Sequence, residues 1–161
     1  MKKLSQLSRS IAGSVAIITG AASGIGKEIA LRFAAEGAIP VIADLNLAAA
    51  QATAEEIKAA HGGDAFAVGM NVTDEAEVDK GVADVVAKYG KIDILVTNAG
   101  GPPPGPFESH TPEAWRRAVE LNLDSVVNLV RAVLPGMKER RWGRILNVTS
   151  IAVKQPVDGL I

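Results

Sequence analysis

Thr19-Gly20-Ala21-Ala22-Ser23-Gly24-Ile25-Gly26 is the stretch whose reading decides the fold. It follows a short β-branched run, Val15–Thr19, and opens an amphipathic stretch from Gly24 to Glu36 that ends at Gly37, a residue suited to a left-handed cap. Ile25, Ile29, Ala30 and Phe33 share one side of that stretch and are expected to face the core. Glycines at a strand-to-helix junction let the backbone turn sharply and bring its N–H groups up to a pyrophosphate at the positive end of the helix. A bare glycine pattern fits a flexible turn equally well; the strand before it and the helix after it favour phosphate binding.

The same alternation continues outward. Ile39–Ala43, Ala65–Met70, Ile92–Thr97 and Arg144–Thr149 read as further strands. Between them lie helical patterns at Leu47 to His61, closing on Gly62-Gly63, and from a capping signal at Thr73 or Asp74, with Glu77 behind it, to Tyr89-Gly90. A fourth pattern starts at a Thr111 cap with Pro112 in the first helical position and runs to about Arg140, with a bend expected near Pro135. Strand and helix in strict alternation imply a parallel sheet with right-handed crossovers and helices on both faces, an α/β doubly wound (Rossmann) fold. Strands without polar alternation suit a sheet covered on both sides. No linker or repeat divides residues 1–161, so they read as one dinucleotide-binding domain preceded by a disordered lead-in over 1–12.

Asp44 closes the second strand, where a carboxylate can accept from the adenosine ribose hydroxyls and would repel a 2′-phosphate. No Arg or Lys follows in Leu45-Asn46-Leu47, so NAD is favoured over NADP. A plain capping role for Asp44 at the next helix remains the alternative.

Composition narrows the function classes. With 48% hydrophobic residues in a chain of 161, a packed core is affordable. A net charge of -1 with mixed signs offers no basic face for nucleic acid. The chain has no cysteine, which excludes thiolate chemistry and Cys-based metal sites, and His61 and His110 read as solvated loop residues rather than metal ligands. No apolar run is long enough to span a membrane, and the apolar stretch from Ile11 runs into the glycine turn rather than a cleavage site, so a cytoplasmic address is expected.

Taken together, Thr19-Gly20…Gly24-Ile25-Gly26, Asp44, Asn71-Val72-Thr73-Asp74 and Asn98-Ala99-Gly100 resemble the short-chain dehydrogenase/reductase family over essentially the whole chain. The resemblance implies a cofactor held by Gly20, Ser23, Gly24, Ile25 and Gly26, by Asp44 and Leu45 beside the ribose, by Asn71 and Val72 beside the adenine, and by Asn98, Ala99 and Gly100 along the central strand. Asn71 departs from the family's common aspartate, which moves any adenine contact to an amide. Asn122 matches the family's active-site asparagine and Ser150 its catalytic serine, although mid-helix Asn ordinarily points to solvent. An oxidoreductase acting on a small-molecule secondary alcohol or ketone is implied, with a homo-oligomer built on the long helix containing Trp115 and Asn122. The family's tyrosine and lysine are expected about thirteen and seventeen positions after the serine, past Ile161. The domain is therefore expected to be incomplete at its C-terminus, truncated after the fifth strand, and inactive alone. A non-catalytic dinucleotide-binding module or an inert fragment is the alternative. Gly100-Gly101-Pro102-Pro103-Pro104-Gly105-Pro106 and Val153-Lys154-Gln155-Pro156 resemble 3-oxoacyl-acyl-carrier-protein reductase-like members, a branch in which the tyrosine can be absent, whereas Ile42-Ala43-Asp44-Leu45-Asn46 resembles hydroxybutyrate dehydrogenases. The substrate stays open.

Overall fold

Five short runs of apolar residues form one parallel sheet in the order β3-β2-β1-β4-β5. The strands are β1 (Val15–Thr19), β2 (Ile39–Asp44), β3 (Phe66–Gly69), β4 (Ile94–Thr97) and β5 (Arg144–Asn147). The structure, a computed structural model, describes residues 10–101 and 104–155. Strand order reverses between β1 and β4, and in such sheets the crevice at that reversal, beyond the carboxyl ends of the strands, is where ligands sit.

β1 is central and wholly buried, with Ile17 in register with both Val41 and Leu95 and Ile18 with both Ile42 and Val96. The sheet has a core on each face. One joins Ile17, Val41 and Leu95 to Val78, Val85, Leu129 and Met137; the other joins Ile18, Ile42 and Val96 to Ala30, Ala50 and Ile57. Of the expected lead-in, residues 1–9 lie outside the described residues, while Ile11 packs against the second core and Gly13 N–H donates to the Gly37 carbonyl at 2.8 Å.

Helices α1 (Gly24–Ala35), α2 (Leu47–His61) and α3 (Glu75–Tyr89) fall where the periodicity places them, and Gly37, Gly62 and Gly90 take positive φ at their ends. The face of α1 that meets the sheet carries Ala30, Ile29 and Phe33 as expected, but not Ile25. Gly26, Ala30 and Ala34 are buried, whereas Ile25 is 67% exposed. The small residues win because α1 approaches the glycine turn too closely for a branched side chain. A Cβ on Gly26 would collide with the Gly20 carbonyl and stand 2.7 Å from Asn98 Nδ2. At α3 the cap is Asp74, accepting from Ala76 and Glu77 N–H, and Glu77 reaches past it to accept from the Asn71 N–H at 2.8 Å.

The expected single helix after Thr111 is interrupted. Thr111 caps α4 (Pro112–Val119) through the Ala114 N–H, a π-helical turn occupies Glu120–Asp124, and α5 (Ser125–Glu139) follows. α5 continues through Pro135, and a departure from α geometry that the sequence did not signal is the π turn at Glu120–Asp124. β5 ends at Asn147 and β3 at Gly69, earlier than read, each opposite the last residue of its partner strand, Thr97 of β4 and Asp44 of β2.

Candidate functional site

The glycine turn is held down by the strand beside it. Thr19, fully buried at the end of β1, accepts on Oγ1 from the N–H groups of Asn98 (3.0 Å) and Ala99 (3.1 Å). Asn98 returns the contact through Nδ2 to the Thr19 carbonyl at 3.0 Å. This lattice joins residues 79 positions apart and leaves the turn no lateral freedom. Gly20 and Gly24 take φ of +64° and +54°, which a side chain would oppose. A Cβ on Gly20 would also lie 3.2 Å from Ala99 Cα. Ser23 precedes α1 with extended backbone and makes no capping bond through its side chain, so the first N–H groups of α1 are left unsatisfied by a side-chain cap.

Asp44 ends β2 half-buried, one oxygen accepting from Ala22 N–H and the other from Asn46 N–H, each at 3.0 Å. The capping role at α2 falls instead to Asn46, whose Oδ1 accepts from Ala49 N–H, so the alternative reading of Asp44 is set aside. A carboxylate offers about four lone-pair directions, so two backbone donors leave acceptor capacity facing outward. Leu45 beside it is 76% exposed. Asn71 follows β3, and its Oδ1 accepts from both the N–H and hydroxyl of Thr73. Its Nδ2 has no hydrogen-bond partner among the described residues. Val72 is buried in the core, so only its backbone can meet a ligand.

A cleft of about 380 Å³ brings the remaining expected residues together. Ile25, Asn98, Ala99, Gly100, Asn122 and Ser150 all line it, with Thr97 and Val126. Asn122 sits in the π turn, donating through Nδ2 to the Ala118 carbonyl at 2.8 Å and accepting on Oδ1 from the Gly101 N–H at 3.2 Å. A π turn inserts one residue into the helical ladder, and here Asn122, although exposed, meets the 98–101 segment through Gly101. Gly100 is needed there, since a Cβ would lie 2.8 Å from Asn122 Oδ1. Ser150 is exposed and accepts on Oγ from Ala152 N–H at 3.2 Å, which leaves its hydroxyl hydrogen to donate.

Thr19 and Gly101 hold this site together and were not singled out as site residues in sequence. The threonine stood inside the quoted turn, but its partners Asn98 and Ala99 lie just past the end of β4; Gly101 acts through its backbone, which carries no sequence signal. Pro102 and Pro103 lie outside the described residues, as does Pro156. His110 lies in the loop before α4 but is half-buried, its Nε2 3.2 Å from the Gly105 carbonyl and its ring edge-on to Trp115, while His61 is exposed as expected but is the last residue of α2 rather than a loop residue. Among the described residues no group of His, Asp and Glu could hold a metal. Nor is any helix long and apolar enough to cross a membrane.

Tyr89 is the chain's single tyrosine. It ends α3, which starts at the carboxyl edge of the sheet and finishes at the amino edge, away from the cleft. Its hydroxyl donates to Asp64 at 2.8 Å, and burial together with that carboxylate raises its pKa well above the ordinary phenol value.

Residues 14–161 match the family model described as short chain dehydrogenase. The 7alpha-hydroxysteroid dehydrogenase of Escherichia coli (strain K12) is 45% identical over 142 residues, 88% of this chain and 55% of the relative. A structure of 7 alpha-hydroxysteroid dehydrogenase complexed with NADH and 7-oxo glycochenodeoxycholic acid superposes with a TM-score of 0.87 at 43% identity, over 92% of this chain and 58% of the other. L-sorbose reductase from Gluconobacter frateurii, complexed with NADPH and L-sorbose, superposes at 0.89 with 35% identity, over 94% and 57%. The chain thus spans a little over half the length of these relatives.

Proposed function

The chain belongs to the short-chain dehydrogenase family, and from that premise we propose that its full-length natural protein is an NAD-dependent oxidoreductase, moving hydride between NAD(H) and a secondary alcohol or ketone. The observation that carries this reading is the single cleft shared by Ile25 of the glycine turn, the 98–100 segment, Asn122 and Ser150. The fit to a dinucleotide rests on the cradle itself, since a Cβ at Gly20, Gly26 or Gly100 would fill the space or break the contacts that form it.

Bound NAD supplies the hydride acceptor. The backbone N–H groups of the 20–26 turn and of the first turn of α1 hold the pyrophosphate, with Ser23 beside them. Asp44 accepts from the ribose hydroxyls with Leu45 packed alongside, and Asn71 offers Nδ2 to the adenine, with Val72 contributing backbone. Asn98, Ala99 and Gly100 form the wall along the nicotinamide. Ser150 donates its hydroxyl hydrogen to the substrate oxygen, and Asn122 fixes the wall opposite through Gly101. The ligands named with two relatives, a 7-oxo steroid acid and L-sorbose, are both ketones, which supports the substrate class and leaves its size open.

For the 161-residue chain itself a second reading is favoured by Tyr89, whose hydroxyl is bonded to Asp64 at the far edge of the sheet, out of reach of the cleft. The chain alone is a dinucleotide-binding module without turnover. A homo-oligomer is part of the proposal, supported by Trp115, Val119, Leu123 and Val127, exposed at four-residue spacing along α4, the π turn and α5. Equilibrium sedimentation showing a monomer at every concentration would remove that part.

The cofactor assignment is tested by titration. With no cation in residues 45–47 to hold a 2′-phosphate, NAD is expected to bind more tightly than NADP by roughly a few kcal/mol. Asp44→Ala should narrow the gap. Equal or tighter binding of NADP by the unsubstituted protein removes Asp44 from this role.

A further inference from the structure

β4 and β5 run side by side until the Val148 N–H meets the Thr97 carbonyl at 2.9 Å, and there they part. Beyond the fork, Asn98 turns back to Thr19 on one side, and on the other the chain passes through Ser150 into the 3-10 turn Ile151–Val153. The cleft opens between them. At the fork itself Thr97 and Asn147 stand in register on the sheet face turned toward α5, and Thr97 Oγ1 donates to Asn147 Oδ1 at 2.9 Å. Thr97 is only 4% exposed and lines the cleft; Asn147 is exposed.

The two arms of the fork are secured unequally. The arm carrying Asn98 is tied to Thr19 by three short hydrogen bonds. The arm carrying Ser150 belongs to a strand whose four residues are all exposed, and among the described residues the Thr97–Asn147 bond is the one side-chain hydrogen bond that ties residues 145–150 to the rest of the sheet. Main-chain pairing alone sets the register of β5 but leaves its last residues free to twist away from β4 once the ladder ends.

We propose that Thr97 and Asn147 are a positioning pair, fixing Ser150 against the Asn98–Gly101 wall so that the substrate oxygen and the hydride acceptor are held at reacting distance. The inference rests on the dehydrogenase reading of the cleft. Neither residue touches the reacting atoms. Thr97 takes its orientation from Asn147, and Ser150, three residues on, inherits the strand position that the pair defines. Because reaction rate depends steeply on alignment, a displacement of about 1 Å can cost on the order of a hundredfold, while binding of a cofactor held mainly elsewhere is left alone.

The test uses the full-length natural protein, assayed for NAD reduction with a panel of secondary alcohols. Thr97→Val keeps the shape and removes the hydroxyl, and is expected to lower kcat about tenfold or more, with the Kd for NAD changed by less than about twofold. Thr97→Ser should restore kcat to within about twofold, because the donor returns. Asn147→Ala, at an exposed position that does not endanger folding, should show the same loss, and the Thr97→Val/Asn147→Ala double variant no further loss, the mark of one shared interaction. An active unsubstituted protein whose kcat survives Thr97→Val and Asn147→Ala, even with a lowered Tm, overturns the positioning role and leaves the dehydrogenase reading standing. An unsubstituted protein that binds NAD but oxidises none of the alcohols overturns the dehydrogenase reading, and the positioning role with it.

Discussion

The glycine-turn half of the crevice and the Ser150 half are built in opposite ways. Around Gly20 the support is anchored in the core: β1 is buried throughout, Thr19 is inaccessible, and the half-buried Asn98 and Ala99 are bonded to it directly. Around Ser150 the support is a strand exposed along its whole length, with Ile145, Leu146 and Val148 between 36% and 53% exposed. On the proposed reading, a nucleotide site can share its rigidity with the fold because its phosphate contacts would be backbone groups at a strand-to-helix junction. A substrate site must stay open, so its side chains stand on edges and loops held by single contacts. The consequence is a division of labour, in which damage on the first side is felt as instability and damage on the second as lost rate.

The sharpest way to break this comparison is to cut equal amounts from each side. Ile17→Ala, at the centre of β1 with no exposure, is expected to cost about 2–5 kcal/mol of unfolding free energy, read from denaturant midpoints at constant m. A loss near zero there would mean that the buried half does not carry the stability. Second in size, Ser150→Ala in the full-length natural protein should lower kcat roughly a hundredfold, as loss of an oriented donor does, with NAD binding little changed. Unchanged kcat would take Ser150 out of the reaction. The 161-residue chain should bind NAD without reducing it, and turnover by it would require a proton-transferring group other than Tyr89. The smallest effect is expected at Leu146, 53% exposed on β5, where truncation to alanine should cost less than about 1 kcal/mol. A cost there as large as at Ile17 would show that β5 is covered in solution, by further chain or by a second copy.

The parts of this protein that were legible in its residues share one property, which is that their signals are local. The strand, glycine turn and helix around Gly20, the helix stops at Gly37, Gly62 and Gly90, the caps at Asp74 and Thr111, and the step from the turn to Asp44 all depend on residues within one or two elements. Local readings failed where two elements compete for the same space. Ile25 was expected to face the core and faces out, because the carbonyl of Gly20 and the amide of Asn98 occupy the room that only Gly26 can spare. The helix read as continuous from Thr111 departs from α geometry around Asn122. Proline carries its constraint wherever it stands, but the π turn is matched by a contact from Gly101, in a segment 21 residues away.

By itself, then, the sequence determined the alternation of strand and helix and the order of the elements, since propensity, periodicity and capping are set by neighbours along the chain. Tertiary structure alone decided that β1 lies between β2 and β4, that Thr19 bonds to Asn98 and Ala99, that Asn46 rather than Asp44 caps α2, and that Thr97 meets Asn147 at the fork. Each of these depends on strand order, register or the final angle of a turn, and the free energy that selects them comes from burying side chains tens of residues apart, which no local window of sequence contains.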